Sequence, residues 1–190
     1  MSGEEIRGNL PGSTAQRDDR LCVAIGYARH GWVQIAMLSA ESGRSAVIQC
    51  SDVYPPFDAM LRWLHQLAGA QLPAVLTIDE ENVFISLCAQ ATAYGTDAIE
   101  LTVFEHDMPQ ALAGPGSEPL LRCRVSRLGL VHEFASRLER WLAEDCEPAE
   151  FGGERLDPSD PPPHGDLRRL DLAALWGRLP AGHARPAATP

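Results

Sequence analysis

Residues 57–69 read FDAMLRWLHQLAG and residues 128–143 read LGLVHEFASRLERWLA. In the first stretch Phe57, Leu61, Leu64 and Ala68 recur at helical spacing, and Met60 and Leu67 widen the stripe. Pro56 is placed for the first position of a helix, where its missing N–H costs nothing. Asp58 suits the positive end of the helix dipole, and Gly69 can end the helix. In the second stretch Val131, Phe134, Leu138, Trp141 and Leu142 repeat with the same period, and Ser126 is a plausible N-cap. Trp63 and Trp141 fall at the edges of these stripes, where core packing is their simplest role.

The segments outside and between the helices alternate apolar and polar residues, which is the period of a half-buried strand. Strands are expected at 21–28, 32–38 and 45–52, joined by the Arg29-His30-Gly31 turn and the Glu41-Ser42-Gly43 turn. Further strands are expected at 73–78, 83–90, 99–105 and 120–125, with turns at 79–82 and 94–97. Residues 106–118 hold two prolines and two glycines and read as a long loop. The order β-β-β-α-β-β-β-β-α defines an α+β domain over 20–143, a mostly antiparallel curved sheet with two amphipathic helices on one face.

The ends differ in composition. Residues 1–19 are polar and read as a flexible leader without an apolar signal segment. Residues 144–160 carry seven carboxylates and one Arg, and three prolines follow at 161–163. An acidic linker is expected over 144–165. Leucines and Trp176 then return, predicting a short docking helix over 166–179, capped by Asp166 and stopped by Pro180. A helix that short is marginal alone, so it should dock on its own domain or on a partner. Residues 180–190 read as a disordered tail.

At 190 residues and a net charge of −10, the chain does not suit a nucleic-acid binder, which needs clustered cations. All 16 basic residues are Arg, which excludes a Schiff-base lysine and a P-loop lysine. Five cysteines occur without CxxC spacing, so free thiols in a reducing cytoplasm are expected. The apolar runs are too short to span a membrane.

Candidate chemistry is sparse. Asp79-Glu80-Glu81 is the densest acidic turn, able in principle to hold a hard cation or to act in acid–base catalysis. The plainer reading is a solvated turn or a partner contact. His106 and Asp107 open the long loop and form a second candidate. Histidines and cysteines lack short zinc-ligand spacing, so neither metal nor cofactor is expected. No catalytic residue is assigned. Leu172, Leu175 and Trp176 are the anchors expected of a docking segment.

The helix FDAMLRWLHQLAG, then LPAVLTIDEENVFISLCAQ, AIELTVFEH and LLRCRVSRLGLVHEFASRLERWL together resemble small bacterial proteins typified by the immunity protein of the wall-associated contact-toxin system. The matching positions are Leu61, Trp63, Leu64, Leu67, Glu80, Leu101, Val103, Leu130, Phe134, Leu138 and Leu142, within residues 20–143. The acidic tail and terminal helix depart from the pattern. The resemblance implies binding to a protein toxin instead of catalysis. An acidic chain also suits a basic partner reached by electrostatic steering.

Three functions are therefore in view. The first is a cytoplasmic, non-enzymatic immunity-type module contacting its partner through Asp79, Glu80, Glu81, the 106–118 loop that His106 and Asp107 open, and the acidic stretch after Ala143. The second is an adaptor or subunit of a bacterial assembly, docked through Leu172, Leu175 and Trp176. The third is an enzyme using Asp79, Glu80 and His106.

Overall fold

The structure, a computed structural model, describes residues 19–93, 95, 97–107, 118–145 and 170–183. The expected leader up to residue 18, the loop over 108–117, the linker over 146–165, the start of the expected docking helix at 166–169, and residues 184–190 lie outside these. Tyr94 and Thr96 of the expected 94–97 turn lie outside them as well.

The chain is α+β. In order it forms β1 (Leu21–Ile25), β2 (Trp32–Ser39), β3 (Ser45–Ser51), α1 (Phe57–Ala68), β4 (Ala74–Asp79), β5 (Phe84–Ala91), β6 (Ala98–His106), β7 (Leu121–Ser126), α2 (Arg127–Arg140) and α3 (Leu172–Trp176). One π-helical turn, Trp141–Asp145, continues α2. The strands divide into two antiparallel sheets, β1-β2-β3 and β4-β5-β6-β7. The division falls where Pro55 and Pro56 stop backbone pairing and α1 intervenes.

The β1–β2 connection is a two-residue hairpin. Arg29 and Trp32 exchange both backbone hydrogen bonds at 2.9 Å. His30 and Gly31 have φ of +50° and +79°, the pair of positive values that matches strand twist. A Cβ on Gly31 would also stand 2.7 Å from Asp52 Oδ1, so a larger residue would have to displace that carboxylate. The β4–β5 turn is built the same way. Glu81 and Asn82 have φ of +59° and +87°, and the Glu80 N–H donates to the Val83 carbonyl at 2.7 Å.

Both helices face one shared core. Ile35, Met37 and Ile48 from the first sheet and Leu76, Ile78, Leu87, Leu101 and Val103 from the second are fully buried in it. Trp63 and Trp141, placed by helical spacing at the stripe edges, are also fully buried. Trp63 meets Phe134 edge to face at 5.7 Å, and Phe57 stacks on Trp141 at 5.0 Å. The stripe of α1 is centred on Met60, Trp63, Leu64 and Leu67, leaving Leu61 and Ala68 only partly buried. A helix that packs against a strand on one side and another helix on the other needs a wider apolar face than one stripe provides.

The start of α2 is fixed by polar groups. Ser126 caps it, accepting from the Gly129 N–H at 3.0 Å as expected. Asp97 supports the same turn by accepting from Ser126 Oγ at 2.5 Å and from the Leu128 N–H at 3.0 Å. A carboxylate here meets the positive end of the α2 dipole. Arg127, buried, donates to the Leu67 carbonyl and, at 3.1 Å, to the Ala68 carbonyl. One guanidinium thus closes the C-terminus of α1 from the first turn of α2. Pro56 sits at the N-cap of α1, one place earlier than expected, and its carbonyl accepts from the Met60 N–H at 2.7 Å.

The terminal helix is shorter than the leucine spacing predicts. Asp171 caps it by accepting from the Ala174 N–H at 2.9 Å, and the expected cap Asp166 lies outside the described residues. Leu172, Leu175 and Trp176 are buried against α1 and α2. The segment docks in cis.

Candidate functional site

The acidic turn lies at the surface and reaches toward the edge of the first sheet. Glu80 accepts a hydrogen bond from the Gln49 backbone N–H, and Glu81 Oε1 accepts from Ser51 Oγ at 2.8 Å. Asp79 Oδ1 accepts from the Asn82 N–H at 3.1 Å. Glu80 and Glu81 therefore join the β4–β5 turn to the edge strand β3, and Asp79 shapes the turn itself. Carboxylates cover edge N–H groups at a second place: Glu133 on α2 accepts from the Val23 N–H of β1 at 3.2 Å. Covering an edge in this way removes a template for unwanted strand pairing.

Burial pushes the Glu80 carboxyl above its usual range. The Gln49 N–H opposes this, and the nearby Glu105 charge adds to it. A carboxyl raised in the fold takes up a proton more readily than in the unfolded chain. Its contribution favours the fold at low pH and is lost as pH rises through the raised value. Glu80→Gln, which keeps an acceptor and removes the charge, is therefore expected to be at least as stable as the parent at pH 7. That advantage should shrink as pH falls toward 4.5, the unperturbed value. Glu80→Ala leaves the Gln49 N–H without its acceptor and should cost about 1–3 kcal/mol. Urea denaturation at both pH values measures this. An alanine variant as stable as the parent would show that Glu80 is a free surface carboxylate.

His106 and Asp79 share the outward face of the second sheet, in the cross-strand row Asp79–Phe84–His106. Phe84 stands between them and stacks on the His106 ring at 5.9 Å. Asp79, Glu80 and His106 thus do not converge. His106 Nε2 instead pairs with Ser86 Oγ at 2.8 Å, and Ser86 Oγ with Thr77 Oγ1 at 2.8 Å. A hydroxyl beside an imidazole is the first element of a nucleophile–base pair. Here Ser86 is buried on a strand hydrogen-bonded on both sides, so the ladders occupy the backbone N–H groups that could hold an oxyanion. This chain of hydroxyls and imidazole was not anticipated, because it depends on a strand register that alternation leaves open. Asp107 is exposed at the end of β6.

Burial pushes the Cys50 and Cys123 thiols up to about 12, with acidic neighbours adding to the effect. Neither is a thiolate nucleophile at neutral pH. Among the described residues no group of three or more His, Cys, Asp or Glu is placed to hold a metal ion, and no helix is long and apolar enough to cross a membrane.

The outward face of the first sheet, on which no helix packs among the described residues, is different in character. Cross-strand rows place Cys22 beside Leu38, and Ala24 beside Ala36 beside Val47. Leu38 and Val47 are 45% and 50% exposed. Alternation makes these the outward positions, and their apolar character has no counterpart in the core that α1 and α2 fill. On the second sheet Val75 is likewise outward and exposed. Spacing had pointed to these residues only as strand members. The usable signal was apolar residues at both parities of β2, where a solvated face should carry polar ones.

Comparison with protein-family models, curated proteins and solved structures found no match for this chain.

Proposed function

We propose that this chain is a non-enzymatic protein-binding module of the immunity or antitoxin type, neutralising a basic bacterial toxin in the cytoplasm. The observation that carries the reading is the apolar outward patch of the first sheet, centred on Leu38 and Val47. Apolar side chains grouped on an otherwise polar surface mark contact with another protein. The partner fitted to it has an apolar centre and a basic rim, because this chain carries a net charge of −10. The resemblance of residues 20–143 to contact-toxin immunity proteins points to the same class.

Among the contacts first considered, Glu80 and Glu81 are engaged with β3, and Glu81 stays exposed. Leu172, Leu175 and Trp176 are buried in cis, so the adaptor reading requires that segment to leave its cleft first. Asp107 remains exposed at the end of β6 and belongs with a partner contact. The test is co-purification of the tagged full chain with the product of the neighbouring gene. A stoichiometric complex that weakens as salt is raised is the expected result. A neighbour that does not bind removes the main support for this reading.

A further inference from the structure

Three of the six histidines in the chain meet at the seam where the C-terminal segment docks. His132 on α2 makes an edge-to-face contact with Trp176 at 5.4 Å, and its ring centroid lies 6.1 Å from that of His183. His183 ends the 3₁₀ turn Ala181–His183 that follows α3. His65 on α1 feels both Arg178 and Asp171, which places it against the same segment from the other helix.

Two polar atoms at the seam lack partners. His65 Nδ1 and Trp176 Nε1 are buried without hydrogen-bond partners, so added charge there finds little compensation. Protonating His132 and His183 together would set two like charges at close range. Arg178 already supplies a positive charge beside His65. The opposing carboxylate on the segment is Asp171, which also caps α3. On α2, Glu139 lies on the helical stripe of His132 but is itself engaged, and Glu133 pairs with Arg137 at 3.1 Å. On α1, Arg62 is exposed one turn before His65 and adds positive charge.

We propose that residues 170–183 form a proton-sensitive strap, which acidification below about pH 6.5 releases from the cleft between α1 and α2. The sign follows from which state binds protons. Desolvation, and then Arg178, hold His65 below its usual range while Asp171 works against them, so the docked state excludes a proton that the released state accepts. Docking is then at full strength above the ordinary histidine value and weakens as pH falls below it. The loss of docking grows as pH falls through that window. The α3 helix has five residues and three buried anchors, so release exposes Leu172, Leu175 and Trp176 while the rest of the core stays closed.

The experiment is hydrogen exchange of the full chain, read by mass spectrometry at pH 7.5 and 5.5 and corrected for intrinsic exchange. Protection across residues 172–179 should fall at the lower pH, while residues 60–67 of α1 keep theirs. In a variant carrying His65→Gln, His132→Gln and His183→Gln the strap should remain protected at pH 5.5. If the triple variant has already lost the strap at pH 7.5, His65→Gln alone replaces it and should show a smaller loss. Unchanged protection of the parent strap between the two pH values overturns the proposal. So does an undiminished loss in the histidine variants.

Discussion

Arg127→Met is expected to destabilise the fold by about 3 kcal/mol and to lower the melting temperature by about 10 °C. The guanidinium is buried and donates to two carbonyls at the C-terminal end of α1, where the helix dipole is negative. It also lies 3.8 Å from Asp97 Oδ1. Methionine keeps much of the apolar stem but leaves both carbonyls without this donor and weakens the partnership of Asp97. Removing one member of a buried pair costs about 3–5 kcal/mol in general. Asp97 is 43% exposed at its side chain, so water recovers part of its share and the lower figure applies. Arg127→Lys restores the charge without the planar fork and should recover only part of the loss. Thermal and urea denaturation measure the effect. A loss below about 1 kcal/mol would mean that the two helices are joined by apolar packing alone.

The second large effect concerns binding. Leu38→Glu combined with Val47→Glu should weaken the complex with the neighbouring gene product at least a hundredfold, about 2.7 kcal/mol or more. Both side chains are outward and half-exposed, so the free protein should fold with near-parental stability. In a complex they would meet the partner's apolar centre, and two carboxylates buried there would lack compensation. Glu80→Gln serves as the contrast, since Glu80 is turned toward β3 and its charge is removed without altering the patch. Titration calorimetry at fixed salt separates the two variants. Equal losses would return the acidic turn to the partner surface.

Much of the scaffold was legible because burial leaves a period in the sequence. Val33, Ile35 and Met37 fall on one face of β2 and are core residues, and Ser126 caps α2 as its position suggests. Alternation reports which face of a strand is apolar but not which edges pair. The split into two sheets was therefore hidden, and so was the meeting of Thr77, Ser86 and His106 across three strands. The acidic turn was found, but its orientation was not, since Glu80 and Glu81 bond residues about thirty positions earlier. Arg127 and Asp97 were missed for the same reason: their contacts are with distant carbonyls and a helix start. Trp63 and Trp141 were placed at the margin because a single-stripe reading assumes one neighbour, and each helix has more than one. The leucine spacing of the terminal segment is the same for docking in cis or in trans, and burial of Leu172, Leu175 and Trp176 shows it in cis.

Residue 19 illustrates the limit of composition. It was grouped with the polar leader, yet its N–H donates to the Arg124 carbonyl at 2.6 Å and its carboxylate accepts from the Glu41 N–H at 2.9 Å. A polar residue beside a sheet edge looks the same in sequence as one in a loose tail.

The central claim is that partner binding uses the outward face of the first sheet and not the terminal segment. The most direct measurement is co-purification with the neighbouring gene product at pH 7.5, using three tagged full-length chains: the parent, the Leu38→Glu/Val47→Glu variant and Trp176→Ala, each confirmed as folded by circular dichroism. The account predicts that the parent and Trp176→Ala retain the partner in equal amount and that the sheet-face variant loses it. Retention by the sheet-face variant, with loss in Trp176→Ala, would contradict it.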